Sequence, residues 1–385
     1  MGRTGTMTRI HSIETIVFDL PTIRPHKLAM ATVTAQSLIL VRIRDENGNE
    51  GLGEASVIPR YGAETIEAIQ VVINQYLAPP LIGMDTSLIR RVLAMMDATV
   101  KGNSYAKAAV EMACVDLAAR ALGVPASTLL GGAVHDRLPV LLVLSAGKAD
   151  EDIALAQEML DKRLHNRFLV KLGKDDPRDD VARAIAVKNA LGGDVRVHAD
   201  ANQGWDEASA TWAIERLQDG GIAVVEQPLP TAEIDGMRRL TERFTIPIMA
   251  DEAIDTVQSA LAFASVRAAD AFSIKVTKHG GLLRTRDVAS VAEAAGLTLF
   301  GGTMLESSVG TAAYAQVFST VQSLDWGCQL FGPLLFADTI TEHQPVYRDF
   351  HLEVPHGPGF GMRIDEDKLS HYRRDSASAD HMTTA

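Results

Sequence analysis

Apolar and polar positions along the chain fall into two textures, and the change comes near Pro139. Before it, Ile13 to Leu20 and Ser37 to Arg44 read as strands. The first stops at Pro21 and the second at the turn Asp45-Glu46-Asn47-Gly48-Asn49. Helical spacing follows over Ala63 to Tyr76 and Tyr105 to Leu122, the latter closed by Gly123 and Pro125. Strand periodicity followed by helix periodicity predicts a small antiparallel sheet with a helical bundle, an α+β unit.

After Pro139 short apolar runs alternate with longer amphipathic stretches. Val140 to Leu144, Phe168 to Leu172, Val195 to Ala199, Ile222 to Val225, Ile246 to Ala250, Ala271 to Val276 and Leu297 to Phe300 read as buried strands. Helix patterns such as Arg178 to Leu191 and Ala208 to Leu217 lie between them. This alternation implies parallel pairing, each strand covered by its helix. Lys171, Asp200, Glu226, Asp251 and Lys275 close most of the runs, and the last four are 26, 25 and 24 residues apart. One strand, one helix and two short loops fill that length. A βα unit repeated in this way predicts a closed barrel, with an open doubly wound sheet as the competing arrangement.

Composition narrows the function. The length of 385 residues favours more than one domain, and the net charge of −12 comes with no basic run. That excludes non-specific binding to nucleic acid or to an anionic membrane surface. The two cysteines, Cys114 and Cys328, form no CxxC pattern, so a reducing compartment is expected and a thiolate metal site is not. No apolar run approaches the ~20 residues of a membrane span. The start, Met-Gly-Arg-Thr-Gly-Thr-Met, lacks the apolar core of a signal peptide, and a cytoplasmic enzyme is the expectation.

In a barrel the strand C-termini converge on one mouth, where catalysis sits. Asp200, Glu226 and Asp251 end three successive strands. Any one of them alone reads more readily as a helix N-cap or the partner of a basic residue. Three in register would repel one another without a cation, and oxygen ligands alone suit a hard ion, Mg²⁺ or Mn²⁺. Lys171 and Lys275 bracket the trio from the second and sixth strands. A bound cation lowers a neighbouring lysine from its usual ~10.4, which makes either one a candidate proton carrier. His198, two residues before Asp200, reads as barrel packing. Lys278-His279-Gly280-Gly281 reads as the turn from the sixth strand into its helix.

These residues resemble the enolase superfamily, and within it the muconate lactonizing (muconate and chloromuconate cycloisomerase) group. The resemblance runs from about His11 to Tyr372. It rests on Asp19 to Met30 (DLPTIRPHKLAM), Arg163 to Gly173 (RLHNRFLVKLG), Asp200 to Trp205 (DANQGW), Glu226-Gln227-Pro228, Met249 to Glu252 (MADE), Gly301 to Thr311 (GGTMLESSVGT) and Trp326 to Pro333 (WGCQLFGP). It implies an α/β fold: a modified TIM barrel, (β/α)7β, over 134–350 beneath an α+β capping domain over 1–133. Residues 1–8 and 375–385 are expected to be disordered, and 351–374 to return to the cap. It also implies metal binding by Asp200, Glu226 and Asp251, acid/base chemistry by Lys171 and Lys275, and loops near Pro21 to Met30 and Gly53 to Tyr61 closing over substrate. Asn202, Glu252, Thr303, Glu306, Gln329, Arg60 and Tyr61 are implied to stand behind the ligands or against substrate. The implied reaction is intramolecular addition of a muconate carboxylate across its diene through an enolate, with Lys171 moving the α-proton. The implied partners are a small carboxylate substrate and further copies of the chain, octamers among the assemblies.

Two positions depart from the group. Its second strand usually carries Lys-x-Lys, where this chain has Leu169-Val170-Lys171, and its last strand usually ends in Glu, where this chain has Gln329. Arg60 reads either as a clamp for a substrate anion or as a solvated loop arginine. The rival within the superfamily is a racemase or epimerase of N-acyl amino acids using Lys171 and Lys275 as opposed bases. A Schiff-base aldolase leaves the three carboxylates unexplained, and a non-catalytic carboxylate binder leaves the two lysines unexplained.

Overall fold

In the computed structural model, which describes residues 8–27, 32–59, 62, 64–145 and 147–374, the N-terminal sheet has three antiparallel strands. They are β1 (Ile10–Lys27), β2 (Thr32–Asp45) and β3 (Glu50–Ser56), in the order β1-β2-β3. Asp45 makes the β2–β3 turn by accepting from the N–H groups of Asn47 (2.9 Å) and Asn49 (2.8 Å). Pro21 does not end the first strand. β1 is an edge, where a residue without an N–H is tolerated, and pairing resumes at His26 after an irregularity that follows Pro21.

β3 is a strand that the sequence pattern hides. Its Gly51 and Gly53 look like turn residues, yet they sit in the ladder opposite Ile43 and Val41. A Cβ on Gly53 would run into the carbonyl of Ala109, and one on Gly51 into that of Ala113. The helix Ser104–Leu122 therefore lies directly on this strand. It is buried on all sides over Tyr105 to Ala119, as a helix between two layers must be. The other expected helix begins at Ile66 behind a Thr65 cap and widens to a π turn over Val72–Leu77. Pro79 and Pro80, which cannot donate, sit in the turn that follows.

The second texture is a barrel. After β4 (Arg137–Pro139) come β5 (Leu142–Leu144), β6 (Arg167–Lys171), β7 (Arg196–Asp200), β8 (Val224–Glu226), β9 (Ile248–Ala250), β10 (Ala271–Ile274) and β11 (Thr298–Gly301). All seven from β5 to β11 pair in parallel with their chain neighbours. One residue closes the ring. Cys328 bridges Val140 on one side and Gly301 on the other, both in parallel, and its carbonyl accepts from the N–H of Leu141 at 2.8 Å. The open-sheet alternative is thereby excluded.

The short strands β12 (Tyr347–Arg348) and β13 (His351–Glu353) pair back through β13 to β4. The chain then returns to the N-terminal sheet: Glu366 meets Arg42 at 2.6 Å and Arg374 meets Asp19 at 2.8 Å. At the other end Thr8 is already packed, its hydroxyl 2.5 Å from that of Thr86. Among the described residues no helix is long and apolar enough to cross a membrane.

Candidate active site

The five strand-closing residues meet at one end of the barrel. Lys171 is opposite Asp200, and Asp200 is opposite Glu226, in the parallel register of β6, β7 and β8. Asp251 and Lys275 directly follow β9 and β10. Asp200, Glu226, Asp251 and Lys275 are all buried. Lys171 Nζ lies 2.5 Å from Asp200 Oδ2 and donates to Asn202 Oδ1 at 2.9 Å. Lys275 Nζ lies 2.5 Å from Asp251 Oδ2. Two lysine–aspartate pairs thus flank Glu226.

Charge within this closed space sets the ionisation. Burial lifts Glu226 well above the usual carboxylate range, and Asp200 and Asp251 lift it further. Burial alone lowers Lys171, but Asp200 and Glu226 outweigh it and hold this ammonium above its ordinary value. Lys275 is likewise raised, by Asp251, Glu226 and Glu252 against its burial. The lowering expected of these lysines depends on a cation; the protein's own carboxylates push the other way. Asp251 stays far below its ordinary value because Lys275 and Lys278 overcome its burial.

Backbone shape holds the ring. Gln227 is fully buried with φ at 34°, and its side-chain oxygen accepts from the N–H groups of Asp251 (2.9 Å) and Ala253 (3.3 Å). Its amide donates to the carbonyl of Leu229 at 2.8 Å, so one side chain spans the ends of β8 and β9. Asn202 donates to Glu252 Oε1 at 3.1 Å, which joins two of the expected residues to Lys171. Burial first, then Asp251 and Asp200, raise Glu252 to about 7. Gly302 is required by Lys275: a Cβ there would occupy the space of the lysine's Cγ, Cδ and Cε.

Lys278, expected only as part of the turn after the sixth strand, joins the site. It stands one helical turn after Lys275, in the short helix Val276–His279, and reaches the same carboxylate. Lys278 Nζ donates to Asp251 Oδ1 (2.7 Å), to the Asp251 carbonyl (2.6 Å) and to the Ser273 carbonyl (2.9 Å). The i, i+3 spacing of two lysines at a strand end is the signal that could have found it.

The remaining expectations divide. Thr303 donates to Glu306 Oε2 at 2.5 Å, while Glu306 Oε1 accepts from the Met304 N–H at 2.8 Å. Both Glu306 oxygens are therefore engaged within its own loop. Gln329 is buried at the closing strand. Arg60 and Tyr61 lie outside the described residues. His198 packs edge-on between Phe300 and Trp326, and burial, aided by Arg167 and Arg196, lowers it to about 3. It is barrel packing, as expected.

Among the described residues no three His, Cys, Asp or Glu side chains stand as a ready ligand cage, because ammonium groups hold the outer aspartates. Glu226 Oε2, however, is buried with no hydrogen-bond partner. An unpaired carboxylate oxygen between two further carboxylates is costly unless a cation meets it. The donor set, all oxygen, fits Mg²⁺ or Mn²⁺.

A seven-stranded parallel barrel closed by a one-residue eighth strand, capped by an antiparallel sheet and ringed with carboxylates and lysines at its mouth, has the enolase-superfamily architecture. The family match follows the same division. The model for the Mandelate racemase / muconate lactonizing enzyme N-terminal domain matches residues 12–131, and that for the Enolase C-terminal domain-like family matches residues 151–368. Muconate cycloisomerase 1 of Acinetobacter baylyi is 43% identical over 94% of this chain and 99% of its own length. Chloromuconate cycloisomerase CbnB of Cupriavidus necator is 42% identical over 95% and 99%. The crystal structure of the muconate lactonizing enzyme from Pseudomonas fluorescens complexed with muconolactone superposes with a TM-score of 0.93 at 46% identity, covering 96% of this chain and 100% of that one. The chain belongs to the mandelate racemase/muconate lactonizing enzyme family, in its muconate lactonizing group.

Proposed function

We propose that the protein is a divalent-metal-dependent cycloisomerase that closes cis,cis-muconate or a substituted muconate to its lactone. The observation that carries this reading is the buried Glu226 Oε2, without a hydrogen-bond partner, set between the Lys171–Asp200 and Lys275–Asp251 pairs. The full-length likeness to muconate and chloromuconate cycloisomerases supports it.

Charge points to the substrate class. The three carboxylates balance Lys171, Lys275 and Lys278, and Glu252 adds a carboxyl whose ionisation burial opposes. A divalent ion brings two uncompensated positive charges to this buried space, and a dicarboxylate supplies the matching negative ones.

Asp200, Glu226 and Asp251 would hold the ion. Bound there, Mg²⁺ or Mn²⁺ would offset negative charge developing on the substrate carboxylate. Lys171 is the proton carrier. One carboxylate oxygen of the substrate forms a C–O bond at the diene carbon β to the other carboxylate, the π electrons of that double bond shift toward this second carboxylate, and its α-carbon takes a proton from the Lys171 ammonium. Asn202 and Asp200 orient that ammonium. Lys275 lies on the opposite side of Glu226 and supplies positive charge there.

An assay of muconate, chloromuconates and N-acyl amino acids with Mg²⁺ and with Mn²⁺ tests the reading. Lactone formation from a muconate, abolished by a chelator, is expected. Racemisation of an N-acyl amino acid without lactone formation from any muconate would replace it with the epimerase reading.

A further inference from the structure

The segment carrying Lys275 and Lys278 is gripped from outside the barrel. After the short helix Val276–His279 the chain reverses through Gly280 and Gly281 and enters the helix Leu282–Ala294. That helix has no cap of its own, since its N-cap residue is Gly281. Its first N–H groups are taken by Glu111, from the capping-domain helix Ser104–Leu122. Leu282 N donates to Glu111 Oε2 at 2.8 Å and Leu283 N to Glu111 Oε1 at 2.9 Å. Glu111 is fully buried, and a Cβ on Gly281, where φ is 133°, would collide with its carboxylate. Two ion pairs fasten the same helix to the cap, Asp97–Arg284 at 2.5 Å and Arg90–Asp287 at 2.8 Å. On the barrel side, Tyr314 Oη accepts from the N–H of Thr277 at 3.0 Å.

We propose that Glu111 is a positioning residue: capping the helix Leu282–Ala294 across the domain seam, it fixes the turn that aims Lys275 and Lys278 at Asp251. The side chain does two things at once. It satisfies donors that helix ends otherwise leave open, and it sets the helix start against a rigid element of the cap. Lys275 is linked to that start by a single helical turn, in which its carbonyl accepts from the His279 N–H at 3.1 Å. Both Glu111 oxygens face N–H groups, so an amide at this position must point its NH₂ at a donor. Glutamine is therefore no substitute.

The test is amide hydrogen exchange and steady-state kinetics on full-length Glu111→Gln; the kinetic arm rests on the lactonizing reading and the exchange arm does not. Exchange across residues 276–285 should quicken at least about tenfold, while the helix Pro177–Leu191 across the barrel stays within about twofold. The kcat for lactone formation should fall by about tenfold or more with KM changed far less, as a misaimed Lys275 requires. Unchanged protection at 276–285, equal quickening at both helices, or local quickening with unchanged kcat would each overturn the proposal. If Glu111→Gln does not fold, Glu111→Asp replaces it: both acceptors remain, only reach is lost, and wild-type exchange in that variant would contradict the proposal. A wild type that lactonizes no muconate would sink the functional reading, and the exchange comparison would still decide the role of Glu111.

Discussion

Lys171 and Asp200 face each other in register on adjacent parallel strands, and the ammonium lies 2.5 Å from the carboxylate oxygen. Lys275 and Asp251, which follow β10 and β9 and are offset by two residues in that register, make the same contact at 2.5 Å, with Glu226 between the pairs. On the proposed reading, each aspartate would share its charge between an ammonium and a cation, and each lysine would stand beside the point where substrate meets that cation.

Asp251→Asn removes one of three charges from the proposed cation site and unbalances Lys275 and Lys278 together. Mn²⁺ affinity measured by calorimetry should weaken by at least about tenfold, and turnover should be lost. Parental Mn²⁺ affinity in the variant would show that Asp251 is not a ligand.

Gly302→Ala places a methyl group where the stem of Lys275 runs. A displacement of this kind costs roughly tenfold to a hundredfold in kcat, whereas calorimetric Mn²⁺ binding should change little. Undiminished kcat would mean that the position of Lys275 is not critical.

Glu54, buried on β3, meets the loop that carries Thr303 and Glu306. It accepts from the Ser307 N–H at 2.7 Å and from the Ser307 hydroxyl. Burial raises it to about 7 against those bonds, with Glu306 adding to the rise. A folded-state value above the ordinary 4.5 of a free glutamate means that the stabilising proton is fully present below about 4.5 and is lost as pH rises through about 7. The loss is on the order of 3 kcal/mol. Glu54→Gln keeps one acceptor for the N–H and offers a donor to the hydroxyl, with nothing to ionise. Urea unfolding at pH 5 and pH 8 should therefore show a smaller alkaline loss in the variant than in the parent. Parallel pH dependences would remove Glu54 from this role.

How far the sequence reveals these features depends on the range of the contacts that make them. The barrel was legible because each βα unit is local and repeats, so the intervals between Asp200, Glu226, Asp251 and Lys275 carried both the fold and the ring of charge. β3 was not legible, since its glycines answer to a helix some sixty residues later in the chain. The eighth strand was hidden because Cys328 is a single bridging residue without a run to detect. Glu54 and Glu111 carry no local signal, because their partners at Ser307 and Leu282 lie far along the chain. Lys278 reads as a turn residue in the sequence because only the fold turns it back toward Asp251. Pro21 suggested a strand end, and only its edge position explains why the strand continues.

Gln329 keeps the shape of the usual glutamate and removes its charge. Unsubstituted cis,cis-muconate is expected to be a poorer substrate than another member of the panel, and Gln329→Glu is expected to shift preference toward muconate. The measurement is kcat/KM for muconate against the best substrate in both proteins. A wild type that already prefers muconate, with a ratio moved by less than about tenfold in the variant, would make the replacement neutral.

The most direct measurement follows a proton. The lactone product is incubated in deuterated water with wild type, Lys171→Ala and Lys275→Ala, and α-hydrogen exchange is read by proton NMR. Lys171 as proton carrier predicts exchange on the wild type, slower exchange on Lys275→Ala and none on Lys171→Ala. Exchange that persists in Lys171→Ala and vanishes in Lys275→Ala would contradict it.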